Sequence, residues 1–571
     1  MSGSDAARDS GSRTVRDIAD DYLLRRAELD PEAAEALGRV DVMRIPDLSP
    51  RAFGARAKLD RLTLVALDAL PPTDDERDHA LTLAFRERLS SDIALDKVGF
   101  TRRLLAPLAT PVHLLRQVFD ELPRDIPGAW TRIAAHLEQV PRALEQFLQT
   151  LEKEAGRGNV VGRRQVAVVA GQCDAWVASG YYASVAAECP AGPDRERAMV
   201  AADRAAAATS AFATALRLRI APRAPLRDAV GRDFYRVTSA AFLGTEVDLD
   251  ELYSWGWTEI VRLQDEADDL AEQIVGHRDV VAAVAALDAD PARRVLVGEP
   301  LRAWLQGRLD ATIDAVDGSV FDIPAATRTV EARLSTAASG VMYYTPPDAA
   351  LTRPGRVWWT VPAGTQSVST WREVSTVHHE GVPGHHLQHA VTHGLTDLHP
   401  WQRLLCHVHG YAEGWAHYAE QLAGEIGLLN DPGERLGMVH AQLWRACRIV
   451  IDIGLHLELP IPPGHVRLVG AGTWTPEAAV ELLVRVAEVD RQTARFEVDR
   501  YLGWPGQALA FKVGARLWQQ TRQEASRALG QDFELRRFHA EALGLGPMGL
   551  GPLREVLARS VAAKVRRRAP R

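Results

Sequence analysis

The stretch TWREVSTVHHEGVPGHHLQ, which occupies residues 370–388, decides the fold and the chemistry that we expect of this chain. Its first half has apolar residues at helical spacing and opens with Thr370 and Glu373, the T-x-x-E pattern of a capping box. We therefore predict that a helix begins at Thr370 and runs into His379 and Glu380. A histidine followed directly by a glutamate on a helix is typical of zinc-binding helices.

Two histidines of this stretch, His379 and His385, stand six positions apart. In the ordinary H-E-x-x-H motif the histidines are four apart, so that both rings face one metal ion. Six residues of regular helix would turn the second ring about 120° away from the first. Because Pro383 lacks an amide proton and Gly384 tolerates unusual backbone angles, we predict a local bulge that returns both rings to one face.

Neighbouring histidines leave alternatives open for the second ligand. His385 and His389 have the four-residue spacing, but His386 then stands where the motif has its catalytic glutamate. His386 itself is the fallback ligand if His385 does not face the metal ion. Ten of the eighteen histidines fall within forty residues of the sequence, and such clustering supports a metal site in this region.

A second polar helix, YAEGWAHYAE at residues 411–420, offers the third ligand. Glu413, His417 and Glu420 stand at positions i, i+4 and i+7, along one side of a helix. We predict Glu413 as the ligand, with His417 or Glu420 orienting a ligand by a hydrogen bond. Two histidines and one carboxylate leave a coordination position open on Zn²⁺ for water. Glu380 would accept the proton of that water and pass it to the leaving amine.

Three strings of the sequence together resemble a known family. They are HEGVPGHHLQ at 379–388, EGWAHYAE at 413–420 and YLGWPGQALAFK at 501–512. They look like the bacterial family known as domain of unknown function number 885, grouped with zinc peptidases of the thermolysin-like (gluzincin) clan. The resemblance covers most of the chain and implies a gluzincin site, with His379, His385 and Glu413 as ligands and Glu380 as the base.

The same resemblance implies further groups at the site. Gluzincins add a Tyr or His from a later segment that stabilises the oxyanion of the tetrahedral intermediate, and Tyr501 is our candidate. Three arginines precede Tyr501 in the sequence, namely Arg491, Arg495 and Arg500. One of them would hold a substrate carboxylate by a bidentate pair, and Arg495 is our candidate.

Two short strands are predicted before the zinc helix, in VMYYT at 341–345 and VWWTV at 357–361. Both segments combine β-branched and aromatic residues, and Pro and Gly separate them. In the gluzincin clan such a strand binds an extended peptide by β-addition. We therefore expect Trp358 or Trp359 near the substrate.

The rest of the chain predicts a mainly α fold, a large helical metallopeptidase-like structure with a deep cleft. Residues 15–335 have apolar residues at helical spacing and are expected to form one wall of that cleft. Residues 336–571 are expected to form the zinc-binding catalytic region, with a small β-sheet next to the zinc helix. Residues 1–14 are rich in Ser, Gly, Asp and Arg and predict a disordered tail.

Composition excludes several classes of protein. The chain has 571 residues, of which 46% are hydrophobic and 25% charged, so it can bury a large core. A net charge of −8 does not favour binding to nucleic acid. Four cysteines without a CxxC pair fit a reducing compartment. With no apolar run of membrane-spanning length, we predict a cytoplasmic protein without membrane or nucleic-acid partners.

The predicted function is zinc-dependent hydrolysis of peptide or peptide-like amide bonds in short substrates. One alternative is a catalytically inactive zinc-binding homologue that acts as a binding protein, because the altered spacing could misplace the water. The other is a di-metal or non-haem iron oxidoreductase, which predicts two E-x-x-H pairs on separate helices. Neither Glu413 nor Glu380 has a histidine three residues later, and the match of Glu76 with His79 lies far from the cluster.

Overall fold

The computed structural model describes residues 13–39, 44–335, 342–347 and 353–568. The described residues form 24 α-helices and five short strands, which confirms the mainly α prediction. No helix among them is long and apolar enough to cross a lipid bilayer. Most of the predicted tail, residues 1–12, lies outside the described residues. Thr14 already belongs to the folded part, because its side chain and that of Asp17 form a capping box on the first helix.

The helices of the N-terminal region are α1 (Val15–Leu29), α2 (Pro31–Ala36), α3 (Pro50–Asp68), α4 (Glu76–Lys97), α5 (Phe100–Arg103), α6 (Pro111–Glu121), α7 (Ala129–Ala155), α8 (Arg163–Ala178), α9 (Tyr181–Ala187), α10 (Pro193–Ala215), α11 (Arg232–Leu243), α12 (Leu249–Val275), α13 (Val280–Ala289) and α14 (Glu299–Val316). Those of the C-terminal region are α15 (Thr370–Glu380), α16 (His385–Gly394), α17 (His409–Glu425), α18 (Pro432–Leu457), α19 (Val466–Val469), α20 (Pro476–Val486), α21 (Arg491–Gly503), α22 (Lys512–Leu529), α23 (Leu535–Gly544) and α24 (Leu550–Arg568). The strands are β1 (Arg294–Leu296), β2 (Val330–Ser335), β3 (Tyr343–Thr345), β4 (Gly355–Thr360) and β5 (Ser367–Ser369).

The strands form two small sheets beside α15. In the first, β4 lies in the middle, parallel to β2 and antiparallel to β3, with Tyr343 opposite Trp358. In the second, β1 pairs with β5, which ends directly before α15. The two predicted strands are therefore present as β3 and β4, next to the predicted zinc helix. Val341, at the start of the first predicted strand, lies outside the described residues.

The helix over the central stretch begins at Thr370 as predicted, but the predicted capping box does not form. The Thr370 hydroxyl donates a hydrogen bond to the backbone carbonyl of Arg293 at 3.0 Å. The Glu373 carboxylate accepts a hydrogen bond from Trp359 Nε1 at 2.7 Å. Both side chains have partners far away in the sequence, and Glu373 thereby ties β4 to α15.

A shared hydrophobic core joins the two predicted regions. Apolar side chains of α1 and α4 pack in the same cluster as those of α15, α17 and α24. The division at residues 335 and 336 stays a prediction. Around the central stretch, α17 and α22 approach closely at Gly414, where a Cβ atom would lie 2.7 Å from the Cα atom of Gly514. This contact positions the helix that carries Glu413.

Candidate metal centre

The turn after Glu380 brings His379 and His385 together. Helix α15 ends at Glu380, four residues form a turn that contains a cis Val382–Pro383 peptide bond, and α16 begins at His385. The predicted bulge within one helix is therefore replaced by a break between two helices. The predicted convergence is present, because the two imidazole centroids lie 5.0 Å apart at an angle of 87°.

Gly384 makes this turn possible because it packs against the end of α15. A Cβ atom at this position would lie 1.9 Å from the backbone oxygen of His379 and 2.4 Å from that of His378, closer than real Cβ contacts allow. Trp415 on α17 holds the turn from the other side, since its Nε1 donates to the Pro383 carbonyl at 2.9 Å. The turn thus depends on contacts with two helices.

Replacing Gly384 by alanine should open the turn and separate the two imidazoles. Overpacking of this kind costs about 1–3 kcal/mol of stability. We expect the Gly384→Ala variant to melt at a lower temperature and to retain less zinc after dialysis. Gly394→Ala, at the far end of α16, is the matched control, because nothing lies within 4 Å of a Cβ atom there. A Gly384→Ala protein with normal zinc affinity would contradict the importance of this turn.

Three ligand atoms converge at the turn. Glu413 Oε2 lies 3.4 Å from His379 Nε2 and 3.6 Å from His385 Nε2. Among the described residues, these three side chains form one of two groups whose ligand atoms all lie within 4.8 Å of one another. The side chains of His379 and His385 are 6% and 12% exposed, and that of Glu413 is 25% exposed. The group is therefore recessed and opens to solvent on the side of Glu413.

These atoms fit a divalent metal ion. Ligands about 2.1 Å from a tetrahedral zinc ion lie about 3.4 Å from one another, close to the spacing found here. Glu413 Oε2 is a buried atom for which the described residues supply no hydrogen-bond partner. Two imidazoles and a carboxylate are also a donor set that zinc prefers. His379, His385 and Glu413 are thus the residues that would hold the ion.

The electrostatics of the group also favour a cation. Burial by itself would lower the pKa of His379, but the carboxylates of Glu413 and Glu420 outweigh it and raise that pKa to about 10. Burial would raise the pKa of Glu413, yet the imidazoles of His379 and His385 hold that pKa well below its usual range. The two carboxylates therefore create a negative potential around His379, which favours a cation there.

Glu420 orients the first imidazole. Its Oε1 accepts a hydrogen bond from His379 Nδ1 at 2.6 Å, and its Oε2 accepts one from the Ser375 hydroxyl at 2.8 Å. With Nδ1 engaged in this way, His379 presents Nε2 to the ligand group. His417 Nδ1 lies 3.2 Å from the same Oε1. Glu420 therefore contacts the proposed ligand His379 directly, whereas His417 contacts Glu420.

Replacing Glu420 by glutamine should weaken zinc binding without abolishing it. The amide oxygen can still accept the hydrogen bond from His379, but it lacks the negative charge. We expect a decrease in zinc affinity of about 10- to 100-fold, measured by competition with a chelator. Glu425→Gln on the same helix is the matched control, because Glu425 pairs with Arg522 near the surface. If zinc were lost entirely, Glu420 would itself be a ligand, in the second group formed by His379, His417 and Glu420.

Comparison with known protein families gives a match that spans most of the chain. The family model described as "Bacterial protein of unknown function (DUF885)" matches residues 31–557. The chain belongs to this DUF885 family. The comparison with curated proteins finds no match.

Two solved structures share the fold of this DUF885 chain. The "putative lipoprotein" from Colwellia psychrerythraea is 18% identical, with a TM-score of 0.81 over 96% of this chain and 100% of that chain. The "putative lipoprotein of unknown function" from Shewanella oneidensis is 15% identical, with a TM-score of 0.71 over the same shares. A "putative oligoendopeptidase F" from Bacillus anthracis is 11% identical over 99% of this chain and 98% of that chain. Its TM-score of 0.31 is too low to indicate a shared fold.

Glu380 and the fallback ligand have different surroundings in this DUF885 member. Glu380 is the last residue of α15, directly after His379, and is 8% exposed. Both ring nitrogens of His386 are engaged, because Nδ1 lies 3.0 Å from the Tyr344 hydroxyl and Nε2 lies 2.9 Å from the Thr327 carbonyl oxygen. His386 therefore anchors α16 to its neighbours and does not serve as the fallback ligand.

One of the two tryptophans predicted near the substrate lies in the hydrophobic core. Trp359 is 1% exposed, and its indole N–H donates to Glu373. Strand β4 turns the Trp359 side chain toward the interior, and the expectation that Trp358 or Trp359 lies near the substrate stays a prediction. Trp358 on the opposite face is partly exposed, donates to the Thr345 hydroxyl and stacks on Tyr343.

The predicted oxyanion donor has other partners. Tyr501 is 1% exposed, and its hydroxyl donates to Glu497 at 2.6 Å and accepts from Arg448 at 3.1 Å. A bond from Tyr501 to a substrate would require this arrangement to change, so its role stays a prediction. Arg495 is exposed on the outer face of α21, whereas Arg500 pairs with Glu497.

Sequence reasoning missed three residues beside the ligand group. The Phe511 ring is nearly parallel to that of His379, with centroids 6.4 Å apart. The guanidinium carbons of Arg448 and Arg445 also lie over the Phe511 ring, 4.4 and 5.9 Å from its centre. A signal was present in the sequence, since two arginines three apart interrupt an otherwise apolar run within WRACRIVI at 444–451.

Proposed function

We propose that this DUF885 protein is a zinc-dependent hydrolase that cleaves peptide or peptide-like amide bonds in short substrates. One observation carries the proposal: His379, His385 and Glu413 direct three ligand atoms to one point, and Glu380 follows directly after the first of them. This combination is the donor set of a catalytic zinc site with a carboxylate base beside it.

Each of these side chains has a distinct task in the proposed reaction. Zn²⁺ supplies Lewis-acid activation of water and of the substrate carbonyl when it is bound. Glu380 accepts a proton from the attacking water at its carboxylate and delivers it to the leaving amine nitrogen. Glu420 keeps the proton of His379 on Nδ1, so that Nε2 remains a ligand atom.

Short substrates follow from the exposure of the group. The ligand side chains are between 6% and 25% exposed, so a reacting bond has to enter a recess. An extended segment or a small molecule can do so, whereas a bond within a folded protein surface cannot. We therefore propose short peptides or peptide-like small molecules as substrates.

Zinc analysis combined with a peptide digest tests this function. Purified protein is analysed for its metal content and then incubated with a synthetic peptide mixture, and the products are identified by mass spectrometry. We expect about one zinc ion per chain and cleavage of short peptides. Bound zinc without any cleavage would favour the alternative, a catalytically inactive homologue that acts as a binding protein.

We further propose that the protein acts in the cytoplasm and binds neither membranes nor nucleic acid. The four cysteines, Cys173, Cys189, Cys406 and Cys447, are free and buried, which fits a reducing compartment. Two relatives in fold are described as lipoproteins, so the test is fractionation of cells together with mass spectrometry of the mature protein. Recovery of a lipid-modified form in the membrane fraction would overturn the proposal.

A further inference from the structure

Among the described residues, Arg445 is a guanidinium that has no ionic partner, and it lies near His379 and Glu413 through the Phe511 ring. Its neighbour Arg448, one turn along α18, pairs with Glu497 at 2.9 Å and donates to the Tyr501 hydroxyl. Arg445 donates only to the carbonyl of Ala441 on its own helix, at 3.3 Å. Within the described part of the chain, no carboxylate lies within 4 Å of it. Its Nε is buried without a partner, as is Nη1 of Arg448.

Such a charge is costly to keep inside a protein. Burial lowers the pKa of Arg445, while Glu420 and Glu413 act against this effect from beyond ion-pair distance. Those two carboxylates already face His379, one by a hydrogen bond and the other as a ligand of the proposed metal ion. A partly buried guanidinium whose Nε is shielded from water and has no partner is a favourable place for an anion that arrives from outside.

The position of Arg445 indicates where that anion would lie. Arg445 and His379 both lie against the Phe511 ring, with 5.9 Å from the guanidinium carbon to the ring centre and 6.4 Å between the two ring centres. Trp444 lies beside Arg445 on the same helix. Arg445, Phe511, Trp444 and Glu413 are all partly exposed, whereas Arg448 is buried. We infer that the four partly exposed side chains line one opening.

We propose that Arg445, assisted by Nη1 of Arg448, binds a carboxylate of the substrate close to the bond that is cleaved. This inference rests on the proposed function and deepens it by naming a substrate class. An extended residue spans about 3.3–3.6 Å, so the two distances to Phe511 place the Arg445 guanidinium within about four residues of the His379 ring. The substrates are then short peptides or acylated amino acids with a carboxylate at that distance.

Two sources could supply this carboxylate, a free carboxyl terminus or an acidic side chain. Both would pair with a planar guanidinium in the same bidentate way. Arg495 is exposed, about two turns before the end of α21, and among the described residues it has no ring contact that connects it to His379 as Phe511 connects Arg445. The carboxylate-binding task predicted for Arg495 therefore passes to Arg445.

Matched substrates test this inference. The probes are N-acetyl-trialanine as the free acid, the same peptide as its carboxamide, and a carboxamide whose last residue is aspartate. We expect wild-type protein to prefer the free acid over its carboxamide by about 10- to 100-fold in kcat/KM, mainly through KM. Arg445→Gln should remove most of this preference, and Arg445→Lys should restore part of it. Arg435→Gln, at the exposed beginning of α18, is the matched control.

Calorimetry with the Glu380→Gln variant separates this inference from the proposed function. If no probe is hydrolysed by wild-type protein, binding of the free acid and the carboxamide still decides whether a carboxylate is recognised. The inference would be overturned if wild-type protein bound or cleaved the free acid and the carboxamide equally well. It would also be overturned if Arg445→Gln lowered the activity on both probes by the same factor. Either result would leave the proposed hydrolase function unaffected. Preference for the aspartate probe would assign the carboxylate to a side chain.

Discussion

Replacing Glu380 by glutamine is expected to lower kcat/KM for peptide hydrolysis by about 10²- to 10⁴-fold while the zinc content stays unchanged. The amide has nearly the same shape as the carboxylate but cannot accept a proton from water. Since Glu380 is not among the three converging ligand atoms, its replacement should leave metal binding intact. The measurement is steady-state hydrolysis of the best-cleaved peptide, together with elemental analysis of the same preparation.

Glu373→Gln is the control for this change. Glu373 lies on the same helix, two turns earlier, and accepts a hydrogen bond from Trp359. Burial raises the pKa of Glu373, so an amide replaces its carboxyl group at little electrostatic cost. We expect this variant to remain active. Equal activity in wild-type protein and Glu380→Gln would remove Glu380 from the mechanism, and loss of zinc in Glu380→Gln would make it a ligand.

The helical part of the fold was predictable because helix formation depends mainly on residues that are close together in the sequence. Apolar spacing and the Thr370 start of α15 depend on residues within a few turns of one another. The pairing of β2 with β4 joins residues that are 25 positions apart, as Val330 and Gly355 are, and β2 escaped prediction for this reason. The capping box failed for a related reason, since Thr370 and Glu373 found distant partners.

The sequence predicted which three side chains converge at the candidate site, but not the backbone that brings them together, and their role as metal ligands stays a prediction. The six-residue spacing of His379 and His385 required some departure from regular helix, and Pro383 and Gly384 marked its place. A complete break between two helices depends on Trp415 and on the ends of neighbouring helices. Such tertiary contacts cannot be predicted from the spacing of residues in the sequence.

Substrate-facing residues were the least predictable. Trp359 and Arg495 were chosen because they lie near the motifs in the sequence, but one is buried in the core and the other faces solvent. Arg445 lies far from the zinc helix in the sequence and reaches the site only because α18 packs against α15. An arginine inside an apolar helical run was its one local signal, and that signal does not specify what the side chain faces.

Replacing His379 or Glu413 by alanine is expected to remove the zinc. A structural-type or catalytic zinc site needs at least three protein ligands, and each variant leaves two. We expect the zinc content to fall from about one ion per chain to less than about a tenth after dialysis. Because bound metal stabilises the folded state, added zinc should raise the melting temperature of wild-type protein and leave that of either variant unchanged.

His386→Ala is the control that separates the rival ligand sets. Both nitrogens of His386 already have partners in Tyr344 and Thr327, so this variant should keep its zinc even if it is less stable. Loss of zinc in His386→Ala with retention in Glu413→Ala would refute the proposed ligands. Retention in Glu413→Ala together with loss in Glu420→Gln would move the ion to the far side of the His379 ring, where Glu380 could no longer serve it as a base.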